Sequence, residues 1–143
     1  MPEDWIGQKY RKFQQNVAER NKKDSWAVNA QNSYGTLFQR LQDRVESDVK
    51  EHNRLFGASL NFDPLQVGFS VRNGGNETII VRRATSGTVI QIERSLVGKK
   101  QPVSDHLDIS PDENGNIRYF HNGVPLDDVS DASEIIFGQF VVV

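Results

Sequence analysis

The chain has 143 residues, a formal net charge of −2 and 36% hydrophobic content, enough for one domain with its own core and too apolar for a disordered segment. It contains no cysteine, which excludes disulfides, thiolate catalysis and cysteine-based zinc or iron–sulfur sites. No apolar run approaches the ~18 residues of a membrane span, and the opening residues lack the basic and apolar regions of a signal peptide, so a soluble, cytoplasmic protein without a membrane partner is expected.

Residues 3–56 contain only Gly7 and Gly35 and no proline, whereas 57–143 hold nine of the eleven glycines and four of the five prolines. Because these two residues interrupt regular structure most strongly, the front can run as long helix and the back must turn often. The expected fold is α+β. A long N-terminal helical region, one helix or two in succession, packs on an antiparallel meander of four to six strands, and a short C-terminal helix closes it. This is read as a single domain over 1–143, helical over 1–56, with the sheet and C-terminal element over 65–143.

In chain order, Asp4 is placed to cap a first turn. Ile6, Tyr10, Phe13 and Val17 then step by four, three and four along one helix face. Ile6, Val17 and Val28 are eleven apart, close to three turns, which favours continuity. Asn, Asp and Ser cluster around Asp24-Ser25 and compete with the helical backbone for hydrogen bonds, which tips the reading towards a break there. A second stripe runs through Tyr34, Leu37, Phe38, Leu41, Val45, Val49, His52 and Phe56, and Gly57 stands where a C-cap glycine belongs.

The period then changes to two. Val67, Phe69 and Val71 alternate with small residues, Asn73-Gly74-Gly75-Asn76 turns, and Thr78–Arg83 is β-branched. Thr85-Ser86-Gly87 turns again before the alternation of Ile90 and Ile92. Such short connections imply an antiparallel meander. Leu107 and Ile109, a turn at 111–115, then Ile117 and Tyr119 form another hairpin, and Asn122-Gly123 turns once more. Asp131 to Glu134 has capping-box spacing, so a short helix from about Asp131 to Phe140 is expected despite its strand-like composition.

No catalytic, metal or nucleotide motif stands out, and no cofactor is implied. His52, His106 and His121 lack the four-residue spacing that puts two ligands on one helix face. Asp105-His106 with Asp108 offers carboxylate and imidazole, but solvated strand positions explain the same pattern. Arg82-Arg83, Lys99-Lys100 and the helical group Lys9, Arg11, Lys12, Lys22 and Lys23 are basic candidates, yet acidic residues interrupt the helical patch and the pI near 5.9 argues against nucleic acid. Trp5 and Trp26 either anchor a partner or plug the end of the chain's own sheet, and the plug is favoured. Residues 1–56 carry ten Lys/Arg against eight Asp/Glu, and 57–143 carry seven against eleven. Two solvated faces are the expected reading of this imbalance, and attraction between the halves, within the chain or across a dimer, is the alternative.

The function expected is therefore a non-enzymatic binding module, adaptor-like or chaperone-like, that docks a protein partner or a second copy of itself. The alternative is a small ligand-binding protein or enzyme with a pocket on the sheet face around His106, Asp108, Tyr119 and His121.

Overall fold

A computed structural model describes residues 4–84 and 87–141. One helix, α1 (Trp5–Phe56), leads into seven strands: β1 (Asn61–Leu65), β2 (Gly68–Asn73), β3 (Glu77–Arg83), β4 (Val89–Ser95), β5 (Val103–Pro111), β6 (Ile117–His121) and β7 (Val124–Pro125). A nine-residue helix, α2 (Val129–Phe137), and a 3-10 turn (Gly138–Phe140) follow. All strand pairs are antiparallel and lie in sequence order from β1 to β7. The expected α+β plan is present, with seven strands rather than four to six.

α1 is a single helix of 52 residues. The Asp4 carboxylate accepts the Gly7 N–H at its start, and Gly57, with φ of 62°, closes its end. The break expected at Asp24-Ser25 is absent. Each Asn, Asp or Ser there costs only a few tenths of a kcal/mol of helix propensity, less than one good tertiary contact returns. Trp26 supplies such a contact, since its indole lies against the backbone of Gly115 in the β5–β6 turn.

The second stripe builds the core. Tyr34, Phe38, Leu41, Val45 and Val49 pack on the inner sheet face with Phe69, Val71, Ile79, Val81, Ile90, Ile92, Leu107, Ile109 and Tyr119. Burying each such aliphatic or aromatic side chain contributes about 1.5–3 kcal/mol. Two tyrosines pin the helix to the sheet. Tyr34 donates to the Val89 carbonyl at 2.6 Å and accepts from Ala84 N–H, while Tyr119 donates to the Leu37 carbonyl at 2.6 Å. Phe56, placed in this stripe by spacing, is 51% exposed because the helix has passed the core by then.

The expected C-terminal helix starts two residues early. Asp128 is its cap and Asp131 completes the capping box, in place of the Asp131–Glu134 pair read from the sequence. Ala132, Ile136, Phe137 and Phe140 join the same core. The outer face carries Arg72, Arg82, Gln91, Glu93, His106 and Asp108, as a solvated antiparallel face does. The turn expected at Thr85-Ser86 and the last residues of the Phe140–Val143 stretch lie outside the described residues.

Candidate interaction surface

The first buried residue of α1 is Ala30. Over 4–25, only Gly7 and Val17 are even partly shielded from water. From Trp26 back to Trp5 the helix therefore projects about 30 Å, at 1.5 Å per residue, as an arm whose side chains are almost all exposed. Its face is apolar. Trp5 is 66% exposed, Ile6 and Tyr10 59% and Phe13 62%. Ile6 and Tyr34 are 28 residues apart, so at about 100° per residue the two stripes point some 80° apart around the helix. The arm's stripe is thus no simple continuation of the face that covers the sheet.

The two tryptophans separate. Trp26 is half-buried at the root of the arm, with Lys22 Nζ 4.9 Å from its ring centre. Trp5 stands near the tip, with Lys9 Nζ 5.4 Å from its ring. The seat of Trp26 requires glycine: Gly115 has φ of +82°, and a Cβ there would lie 2.6 Å from the indole. Gly115→Ala is expected to cost about 1–2 kcal/mol through the left-handed backbone alone and to displace Trp26 as well. Chemical denaturation of Gly115→Ala, Trp26→Ala and the double variant checks this. The two effects should be non-additive, and simple additivity would mean that they do not touch.

The four pocket candidates do not converge. His106 and Asp108 share the outer face, with His106 Nε2 3.6 Å from Asp108 Oδ2. Tyr119 and His121 alternate on to the inner face. Tyr119 is enclosed by core, and burial pushes its phenol up to about 12. A shallow open depression of about 520 Å³ on the outer face is bordered by Arg82, Gln91, Glu93, Ser104 and His106. Among the described residues no group of three His, Asp or Glu side chains is arranged to hold a metal.

What spacing missed is a polar cluster under α2. Arg94 is in phase with Ile90 and Ile92 and is buried with them. Its Nη1 lies 3.2 Å from Asp105 Oδ2, and its Nη2 donates to the Ile135 carbonyl at 2.7 Å. His121 Nε2 is 3.0 Å from the same carboxylate. Partial burial works against ionisation of Asp105, but hydrogen bonds from His106 N–H, His121 and Arg94 outweigh it and hold the carboxyl below its usual range. A charged residue on the apolar phase of a strand is the signal that marks such a pair. Arg94 is enclosed beneath α2, Asp105 and His121 are partly exposed beside it, and the Arg94 bond to Ile135 ties that helix to the sheet. A second feature also escaped the sequence: a groove of about 450 Å³ between α1 and α2, lined by His52, Phe56, Ser133, Glu134 and Phe137. The His52 Nδ1 and Ser133 Oγ atoms are buried there with no hydrogen-bond partner among the described residues.

No family model matches the chain, and neither the curated proteins nor the solved structures contain a match.

Proposed function

We propose that this protein is a non-enzymatic interaction module and that the N-terminal arm of α1 is its docking element. The observation that carries this reading is the row of large apolar side chains, Trp5, Ile6, Tyr10 and Phe13, each more than half exposed on a helix that has left its own core. An isolated helix of this length is marginal in water, and most helical stability in proteins comes from packing an apolar face. A groove-filling helix presents such anchors at intervals of three and four.

The test is site-specific photocrosslinking with a benzophenone side chain in place of Tyr10, in cells that express the full chain. Adducts of defined mass are expected, and the double change Ile6→Asp with Phe13→Asp should abolish them. Because both side chains are already exposed, the double variant should melt within about 2 °C of the parent. No adduct, or adducts indifferent to the double change, would remove the arm from the function.

A further inference from the structure

We infer that the turn Asn122-Gly123 is a site of spontaneous covalent modification, at which the Asn122 side chain closes on the Gly123 nitrogen and becomes an isoaspartyl or aspartyl residue. The turn joins β6 to β7 and takes no part in the docking role of the arm. Asparagine is a labile side chain, most of all before glycine, which has no Cβ to crowd the attack. The chain contains three such steps: Asn73-Gly74, Asn114-Gly115 and Asn122-Gly123. Their sequences make them equivalent, and the fold does not.

Ring closure needs a glycine N–H that is free to give up its proton and an asparagine side chain that is free to swing. Gly115 lacks the first. Its N–H donates to the Asp112 carbonyl at 3.0 Å, the Asn114 N–H donates to the Asp112 carboxylate at 2.9 Å, and the Trp26 indole lies against Gly115. Asn73 lacks the second. It is half-buried at the end of β2, opposite Glu77, and its Nδ2 donates to Glu77 Oε1 at 3.3 Å. Asn122 is exposed, and among the described residues neither its side-chain amide nor the Gly123 N–H has a hydrogen-bond partner. The turn also opens at little cost. Asn122 and Gly123, with φ of 52° and 78°, form a two-residue hairpin loop closed by the His121–Val124 pair. β7 is only two residues long, is exposed, and pairs with β6 alone. Segments with so few contacts lie at the low end of local stability.

The chemistry consumes only water. The Gly123 nitrogen loses its proton to solvent and attacks Asn122 Cγ. A C–N bond forms, the Cγ–Nδ2 bond breaks, and ammonia leaves a five-membered succinimide. Water then adds to one of the two ring carbonyls. Cleavage at the main-chain carbonyl gives isoaspartate, and cleavage at the side-chain carbonyl gives aspartate. Either product sets a carboxylate next to His121, whose Nε2 lies 3.0 Å from Asp105. Isoaspartate also adds one atom to the backbone of a two-residue loop, which the His121–Val124 register cannot accommodate.

The experiment is timed incubation of the full chain at body temperature in mildly alkaline buffer, followed by digestion and mass spectrometry. The peptide carrying Asn122 should gain about 1 Da, with backbone fragments that identify isoaspartate. It should do so about tenfold or more faster than the peptides carrying Asn73 and Asn114, because only those two steps are held by the fold. The same chain in concentrated guanidinium should lose the difference, since all three steps then sit in an open chain. Asn122→Gln should remove the fast conversion and leave the two slow ones as they were. Equal rates in the folded chain, or Asn73 or Asn114 reacting first, overturn the inference. An order that persists in denaturant overturns it equally, because the fold would then not be its cause.

Discussion

Leu41→Asp is expected to leave the chain unfolded or molten at room temperature. Leu41 is fully enclosed between the helix and the inner sheet face. The change removes about 2–3 kcal/mol of apolar burial and then asks a carboxylate to sit in a dry core, a cost of several kcal/mol even after it protonates. A domain of this size has about 5–15 kcal/mol in total. Far-ultraviolet circular dichroism through a thermal ramp checks it, together with binding of a hydrophobic dye. A cooperative transition near the parent's midpoint would mean that the stripe beginning at Tyr34 is not the core.

The second large effect lies at the Arg94–Asp105 pair. The Arg94 side chain is only 9% exposed and that of Asp105 22%. Asp105→Asn removes the countercharge and leaves the guanidinium enclosed, with its Nε already lacking a hydrogen-bond partner among the described residues. Breaking a largely buried pair from one side costs about 2–4 kcal/mol. The pH dependence has a definite sign. The folded-state carboxyl lies below its ordinary value of 3.8. Its contribution is therefore fully present above 3.8 and is lost as pH falls through the lower folded-state value. Urea unfolding of both proteins at about pH 7 and again near pH 2.5 should show a gap that narrows in acid. A gap that stays constant would show that the charge of Asp105 is not what Arg94 needs.

The broad plan was legible because it rests on periodicity. The placement of Gly and Pro separated helix from meander, and the alternation at Phe69, Val71, Ile90 and Ile92 located central strands whose inner faces are indeed buried. What escaped was set by less regular signals. β1 reads Asn-Phe-Asp-Pro-Leu, and its proline looks like a breaker. The strand lies at the sheet edge and pairs only with β2, where a missing N–H leaves no ladder bond unmade. β7 has two residues and no pattern to read. The continuity of α1 through Asp24-Ser25 is a tertiary effect, since it depends on Gly115, which is 89 residues after Trp26 in the chain.

The surface shows the same division. The spacing of Ile6, Tyr10 and Phe13 named an apolar helix face, but no local rule says whether such a face meets its own sheet or water. That depends on where the sheet stops, which follows from the number and width of later strands. Arg94 carried a readable signal, a charge on the buried phase of β4. Its partners Asp105 and His121 come from two later strands, and pairing across strands is invisible to periodicity.

The strictly sequential order of the seven strands also bears on how the molecule is made. On the ribosome the long helix emerges before the strands that shelter Phe38, Leu41 and Val45. Each new strand then finds its neighbour a short loop away, at small entropic cost. The order of synthesis thus matches the order of pairing across the sheet, and α2 follows the strands whose inner face it helps to cover.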